Sequence, residues 1–220
     1  PAPRQPMLCV GESGTPTPVC VSAYRAQLDN ETNSTLTMGF SSRTTSMDVQ
    51  VNIEANVDKR AGNVYGPPVG KKLVIFIDDM NMPKVDTYGT QQPITLLLTL
   101  MSRGFIYDRV KDLNQKLLKD LQQIGAMGPP GGGRNPVDPR FTALFNVYNL
   151  PPPTDEVLSG IYDAILEARY GDSAGPIKDL STKFTVATLG LFKFVLEALP
   201  PTPSKFHYIF NLRDLSRVYE

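Results

Sequence analysis

The stretch LVIFIDD, from Leu73 to Asp79, decides the fold class of this chain of 220 residues. Its first part is apolar and rich in β-branched and aromatic side chains, and Lys71 and Lys72 precede it. A short continuous apolar run of this kind is typical of a strand that is buried on both faces. The stretch therefore predicts an inner strand of a parallel sheet, which ends in two acidic residues.

Strand and helix patterns alternate on both sides of this run. Residues that favour β-structure predict further strands at Met7 to Val10, Ser34 to Ser42, Leu121 to Met127 and Ala143 to Leu150. Apolar residues at helical spacing predict helices at Val19 to Leu28, Ser46 to Val57 and Gln91 to Arg103. This alternation predicts βαβ units with right-handed crossovers, and hence an α/β fold with a parallel sheet flanked by helices.

Proline clusters divide the chain, which has 20 prolines. Strand patterns stop at the triple proline 151–153, and the residues after it favour helices. The predicted helices are one capped by Thr154, with apolar positions Leu158, Ile161, Ile165 and Leu166 and its end at Gly171, one at Leu180 to Leu199, and one opened by a capping box of Asn211 and Asp214. We therefore predict an α/β subdomain over residues 1–150 and a small helical subdomain over residues 151–220.

A segment rich in glycine and proline separates two of the predicted strands. It reads GPPGGGRNPVDPR and runs from Gly128 to Arg140. Because these residues interrupt helices and strands alike, the segment predicts a long, exposed loop without regular structure.

Composition excludes some classes of function. The chain has 22 basic and 22 acidic residues, and this balance argues against nucleic-acid or membrane-surface binding driven by net charge. Cys9 and Cys20 form neither a disulfide framework nor a zinc site, so a reducing compartment is the expectation. The chain begins Pro1-Ala2-Pro3 without an initiator methionine, which suggests a piece of a longer protein.

The loop GESGTPTP, from Gly11 to Pro18, follows the first predicted strand and precedes a helix. Backbone N–H groups at such a helix start can bind phosphate. In the pattern G-x-x-x-x-G-K-[ST], however, Pro16, Thr17 and Pro18 replace the second glycine, the lysine and the hydroxyl residue. An ordinary glycine turn therefore stays open as the alternative to a phosphate site.

Asp78 and Asp79 follow the buried strand at the place where P-loop ATPases hold Mg²⁺ and activate water. Asp78 is then the magnesium carboxylate and Asp79 the residue that activates water. Asp is one methylene shorter than the usual Glu, so its carboxylate is held back from a water that needs hydrogen-bond contact. The alternative, that both residues only end a strand, stays open.

Longer motifs resemble a known family. The quoted segments are FSSRTTSMDVQVNIEANVDKR (40–60), YGPPVGKKLVIFIDDMNMPKVDTYGTQQPI (65–94), GGGRNPVDPRF (131–141) and PPTPSKFHYIFNLRDLSRVY (200–219). In this order they resemble the third AAA+ module of an axonemal dynein heavy chain. The resemblance implies a P-loop NTPase-like α/β subdomain, truncated at its start, and a small helical lid, truncated at its end.

The resemblance also implies roles for the residues of the loop after the first strand. Gly11, Gly14 and Thr15 match the family's Walker A loop, while Thr17 and Pro18 depart from its usual Lys-Thr. Thr17, at the lysine position, remains a candidate contact to the nucleotide. The implied cofactor is ATP or ADP with magnesium.

Outside that loop, the resemblance places the remaining site residues. Asp78 matches the Walker B aspartate, and Asp79 stands where hydrolysing modules usually have glutamate. Gly128 falls at the sensor-1 position, usually Asn, and offers no side chain to orient water. Arg140 resembles the arginine finger that acts on the neighbouring module, and Arg213 resembles the sensor-2 arginine of the lid. Each arginine has the alternative of a solvated surface charge.

These departures predict a weak or empty nucleotide site. Loss of the lysine and hydroxyl contacts costs about 3 to 6 kcal/mol, since a hydrogen bond to a charged group contributes about 1.5 to 3 kcal/mol. That corresponds to roughly 10² to 10⁴ in affinity. We therefore expect that this chain alone does not hydrolyse ATP.

The implied function is that of a ring module in a microtubule motor for ciliary and flagellar movement, which transmits conformational change and offers Arg140 to its neighbour. The implied partners are neighbouring AAA+ modules, dynein intermediate and light chains, and microtubules, with no nucleic acid and no membrane. The implied location is the cytoplasm and cytoskeleton, in the axoneme. A regulatory module that still binds nucleotide, and a non-functional α/β scaffold from a degraded gene, are the alternatives.

Overall fold

The computed structural model of the chain describes residues 5–12, 14, 17–110, 112–131, 133–173, 175–200, 208 and 210–220. The strands are β1 (Met7–Gly11), β2 (Asn33–Gly39), β3 (Asp58–Lys59), β4 (Val64–Gly66), β5 (Lys72–Asp78), β6 (Phe105–Tyr107), β7 (Gln115–Leu118), β8 (Leu121–Met127) and β9 (Asn146–Leu150). The helices are α1 (Thr17–Ala26), α2 (Ser46–Glu54), α3 (Gln92–Arg103), α4 (Pro139–Thr142), α5 (Asp155–Tyr170), α6 (Gly175–Ala198) and α7 (Leu212–Tyr219).

The chain forms two compact units, and the sequence passes from the first to the second between Leu150 and Pro151. The first unit contains β1 to β9 and α1 to α4, and the second contains α5 to α7 together with Gly14. In the described residues, no helix is long and apolar enough to cross a membrane.

The main sheet of the first unit has five parallel strands in the order β2-β5-β8-β1-β9. The predicted inner strand is confirmed as β5, which pairs with β2 on one side and β8 on the other. Because all neighbouring strands in this order are parallel, crossovers connect them, as the alternation of strands and helices predicts.

Side chains of β5 alternate between two apolar layers. Leu73, Ile75 and Ile77 are at most 1% exposed and join the core that α2 and α3 cover. Val74 and Phe76 point to the opposite face, where they pack with Val21 of α1. A strand buried on both faces has no polar side to alternate with, which explains the continuous apolar run in its sequence.

Local signals fix the helices on one face of the sheet. Thr45 and Asp48 form a capping box at the start of α2, and their hydrogen bonds lower the pKa of Asp48. Pro93 occupies the first turn of α3, and Gly104 ends that helix in the left-handed conformation at φ 74°. Ile94 and Leu97 of α3 are buried, as the apolar spacing predicts.

A second, four-stranded sheet in the order β3-β4-β7-β6 also belongs to the first unit, and the sequence did not predict it. Its strands are two to four residues long. Such short segments carry too few residues for a period-two pattern to stand out.

In the second unit, α5, α6 and α7 enclose a separate small core. Its buried residues are Leu158, Tyr162, Leu166, Leu189, Leu215 and Tyr219. The predicted capping box of Asn211 and Asp214 is confirmed at the start of α7. The predicted helix is confirmed as α5, with Thr154 at its N-cap and Gly171 at its C-cap, although Thr154 makes no side-chain capping bond. Of its apolar positions, Leu158 and Leu166 are buried, whereas Ile161 and Ile165 are 51% and 41% exposed.

The segment before β9 also differs from the prediction. Strand structure was expected from Ala143, but α4 occupies 139–142 and β9 begins only at Asn146. Asp138 caps α4, and Phe141 is fully buried, so capping and burial favour a helical turn where β-propensity favoured a strand. The predicted loop consequently ends at Asp138, and Arg140 lies within α4.

Candidate functional site

The carboxyl ends of β1, β5 and β8 meet at one edge of the main sheet. Val10 of β1 pairs with Met127 of β8, and Ile77 of β5 pairs with Gly125 of β8. Gly11, Asp78 and Gly128 therefore come to the same edge, with the end of β8 in the middle. In open parallel sheets, this edge is where ligands bind.

The two acidic residues at the end of β5 form a tight turn. Asp79 has φ 51°, and its backbone N–H donates to Oδ1 of Asp78 at 3.0 Å. This left-handed conformation is uncommon outside glycine, although Asp adopts it more readily than most residues. The side chain of Asp79 is 50% exposed, so the turn presents its carboxylate at the sheet edge.

Arg134 lies directly on Gly128. A Cβ atom at Gly128 would be 2.6 Å from Nε, 2.7 Å from Cζ and 2.8 Å from Cδ of Arg134. These distances are shorter than carbon atoms tolerate, so any side chain at 128 displaces the guanidinium. The same guanidinium approaches Asp79, with Nη2 at 3.8 Å from Oδ1. The guanidinium of Arg134 therefore occupies the space at the end of β8 that a side chain at position 128 would fill.

Buried amides hold this loop against the end of β5. Asn81 is fully buried, and its Nδ2 donates to the carbonyl of Gly128 at 2.7 Å. The backbone N–H of Asn135 donates to the carbonyl of Asn81 at 3.0 Å, and its side chain donates to the carbonyl of Pro83. The loop is therefore fixed on both sides of Arg134.

Sequence reasoning missed Arg134 and Asn81. The segment 128–140 was expected to be an exposed loop, but Arg134 and Asn135 are half-buried. The available signal was the glycine at 128 itself, because a glycine at the end of a buried strand often marks the close approach of another group.

The predicted Walker A residues are placed as follows. Gly11 is the last residue of β1, and Gly14 adopts φ 94°, which favours glycine. Thr17 is the first residue of α1. Thr15 lies outside the described residues. Their roles in binding nucleotide stay predictions.

Arg140 faces solvent at the other end of the loop. Its side chain is 82% exposed, and Nη2 pairs with Oδ2 of Asp138 at 3.0 Å. Asp138 also accepts from the backbone N–H of Arg140 at 2.9 Å and so caps α4. The hydrogen bonds from the Arg140 side chain and backbone lower the pKa of Asp138 and raise that of Arg140. The geometry leaves most of the guanidinium open to a partner.

Arg213 belongs to the first turn of α7, in the second unit. Its backbone N–H donates to Oδ1 of Asn211 at 2.8 Å as part of the cap, and the residue is exposed. An exposed arginine is available to a ligand, but its role as a sensor stays a prediction.

The sheet edge fits a magnesium nucleotide in part. Mg²⁺ is commonly held by one or two carboxylates together with phosphate oxygens, and the end of β5 offers Asp78 and Asp79 for that. Among the described residues, no group of three or more His, Cys, Asp or Glu forms a metal site on its own. At the end of β8, residue 128 is a glycine and offers no side chain to this edge.

Comparison with known families identifies two regions. Residues 2–153 match the family described as the P-loop containing dynein motor region, and residues 184–220 match the AAA+ lid domain. The two matches fall largely in the first and second units, respectively.

Known proteins resemble the chain along its whole length. It is 56% identical to human dynein axonemal heavy chain 10 over 216 residues, which is 98% of this chain. It is 54% identical over 221 residues to the dynein-1-alpha heavy chain of the flagellar inner arm I1 complex from Chlamydomonas reinhardtii. Rat dynein axonemal heavy chain 12 is 42% identical over 217 residues. The chain spans about 5% of the length of the first two of these relatives and 7% of the third.

Proposed function

Because the chain belongs to the dynein motor family with a P-loop, we propose that it is the third AAA+ module in the ring of an axonemal dynein heavy chain. In this role the module transmits conformational change around the ring and does not hydrolyse ATP itself. The observation that carries the proposal is Gly128, which leaves the middle of the sheet edge without a side chain to orient an attacking water.

The acid beside this glycine supports the same conclusion. Asp79 is one methylene shorter than glutamate, and its carboxylate lies 3.8 Å from the guanidinium of Arg134. A shorter side chain holds the carboxylate back from a water that it would have to contact, which lowers the capacity of this edge for general-base catalysis.

The phosphate loop also departs from a hydrolysing site. Thr17 and Pro18 take the places of the lysine and hydroxyl residue that contact phosphate and magnesium. Loss of both contacts lowers nucleotide affinity by roughly 10² to 10⁴. Asp78 remains as the carboxylate that would hold magnesium, and that ion would balance phosphate charge.

In this proposal, Arg140 contacts a nucleotide that is bound by the neighbouring module. Its guanidinium is 82% exposed and is oriented by Asp138. An arginine presented from the surface can stabilise charge on a nucleotide that a neighbouring module binds. The module then acts on its neighbour even if its own site is weak.

The motor activity belongs to the whole heavy chain. We propose that ATP turnover occurs mainly at another module, that the ring rearrangement passes through this one, and that the force reaches a microtubule. Intermediate and light chains and the neighbouring modules are the proposed partners, and the axoneme of cilia and flagella is the proposed location. The relatives' names, which refer to axonemal and flagellar heavy chains, support this assignment.

The test is magnesium-dependent ATP turnover in a heavy chain whose other P-loop modules carry substitutions of their Walker B acids. We expect no turnover above background, because the remaining module lacks the groups described above. Asp78→Ala in the same background is the matched control. Residual turnover that Asp78→Ala abolishes would contradict the proposal.

A further inference from the structure

We propose that Arg134 is an anion-binding residue of the sheet edge, and that its guanidinium takes a phosphate group of a bound polyphosphate. In the absence of the anion, Asp79 is the partner of the guanidinium. This inference deepens the proposed function, since it rests on a module that retains a ligand site without hydrolysis.

The first argument is packing. Arg134 packs on the bare Cα of Gly128, with Nε, Cζ and Cδ all within 2.8 Å of the position that a Cβ would occupy. The absence of a side chain at 128 therefore makes the space that the arginine fills. Gly128 directly follows β8, the middle strand of the three that meet at this edge.

The second argument is unused hydrogen-bonding capacity. Nε of Arg134 is buried and has no partner among the described residues. Nη2 lies 3.8 Å from Oδ1 of Asp79, which is too long for a hydrogen bond. Nε is covered by Gly128, whereas the side chain as a whole is 25% exposed, so the two amino groups at the outer end of the guanidinium are the donors that a ligand can reach. Two phosphate oxygens can accept from such a pair.

The third argument is rigidity. Asn81 holds the carbonyl of Gly128 at 2.7 Å, and its own carbonyl accepts from the N–H of Asn135, the residue after Arg134. Asn81 is fully buried, and its Oδ1 has no partner among the described residues. The backbone is thus held at Gly128 and at Asn135 before any ligand arrives, so less entropy is lost on binding.

Exchange of partners links the two roles of this arginine. A phosphate group that takes the guanidinium competes with Asp79, because both are anions attracted to the same cation. When the anion binds, Arg134 contacts the ligand instead of the Asp79 carboxylate.

The experiment measures local protection from hydrogen–deuterium exchange in a heavy chain that contains this region. Tripolyphosphate without magnesium is the probe, and the readout is the protection of peptides covering 121–141 as a function of its concentration. Substitution of the P-loop lysine in the other modules removes polyphosphate binding there, so the protection of these peptides reports binding at this site. We expect saturable protection, whose midpoint gives the affinity.

Three variants define the role of Arg134. Arg134→Met removes the charge at similar length, and we expect the midpoint to rise about tenfold or more. Gly128→Ala keeps the charge but displaces the guanidinium, and we expect a rise of similar size. Arg134→Lys keeps a cation without the fork, so its midpoint falls between. Arg103→Met, an exposed arginine on α3, is the control for loss of one positive charge and leaves the midpoint unchanged.

The outcomes separate this proposal from the proposed function. An unchanged midpoint in both Arg134→Met and Gly128→Ala, or no protection of the wild type, would overturn the anion-binding role. If Arg134→Met does not fold, Gly128→Ala and Arg134→Lys still decide, since both retain the arginine or its charge. Turnover at Asp78 is a separate measurement, so either proposal can fail alone.

A second arm uses ATP without magnesium: a lower midpoint than for tripolyphosphate identifies a nucleotide as the source of the phosphate, and equal midpoints identify the polyphosphate alone.

Discussion

Arg134, in the loop between β8 and α4, and Arg140, in α4, lie in opposite surroundings. Arg134 is half-buried on Gly128 and approaches Asp79, whereas Arg140 is 82% exposed and pairs with its own helix cap, Asp138. Both residues come from one stretch of glycine, proline and polar residues. The comparison teaches that the contacts beside an arginine, and not the composition around it, decide whether its side chain is buried or faces solvent.

The anchors beside the two arginines differ in kind. Near Arg134, an amide side chain holds a backbone carbonyl, as Asn81 does with Gly128. Next to Arg140, an apolar side chain is the anchor: Phe141 is fully buried, and its ring packs edge-to-face on that of Phe145, with the ring centroids 5.0 Å apart. Hydrogen bonds from amide side chains hold the backbone near Arg134, whereas burial of Phe141 holds helix α4, which carries Arg140.

The largest effect is expected from removing the apolar anchor. Phe141→Ala should lower the free energy of unfolding by about 3 to 5 kcal/mol, because it leaves a cavity in the main core. Urea unfolding of the purified chain measures this change. Tyr148→Ala, at a residue of the edge strand β9 that is 53% exposed, is the control and should change little. If the two variants lost equal stability, burial of Phe141 would not be what holds helix α4 in place.

A smaller effect is expected at the neighbouring module. Arg140→Met in a full heavy chain should weaken nucleotide binding at the adjacent site by roughly tenfold, since it removes a charge-assisted contact. Fluorescent-nucleotide titration measures it, with the fold checked by circular dichroism. Arg103→Met serves again as the control for net charge. If Arg140→Met left the nucleotide affinity of every site unchanged, Arg140 would have no role at the neighbouring module.

The smallest effect concerns pH. Hydrogen bonds from Arg140 hold the pKa of Asp138 below its ordinary value of 3.8. A carboxyl whose folded pKa is lowered stabilises the fold at pH above the ordinary value, and this contribution is lost as pH falls through the lower folded pKa. In Arg140→Met the side-chain bonds disappear, so the titration of Asp138 should move back toward the ordinary value. Carboxyl-carbon NMR titration measures this. An unmoved midpoint would mean that the backbone N–H alone causes the shift.

Much of the fold was predictable, because the central strand has strong local signals. The run of Leu73 to Ile77 is buried on both faces and reads as a strand without any tertiary information. The capping box of Asn211 and Asp214 likewise predicts the start of α7 from side-chain chemistry alone. The second sheet was missed because strands such as β3 are too short for a pattern. The strand expected from Ala143 was wrong because capping and burial of Phe141 favour α4.

For the candidate site, the sequence alone determined which residues end the strands: the two acids at 78 and 79, the glycine at 128, and the substituted phosphate loop. Order along the chain fixes these positions, and the parallel sheet brings strand ends to one edge. Only the tertiary structure decided that Arg134 fills the space above Gly128 while Arg140 faces solvent. The direction of an arginine in a loop depends on contacts between residues distant in sequence, such as Asn81 with Gly128, and no local pattern records these contacts.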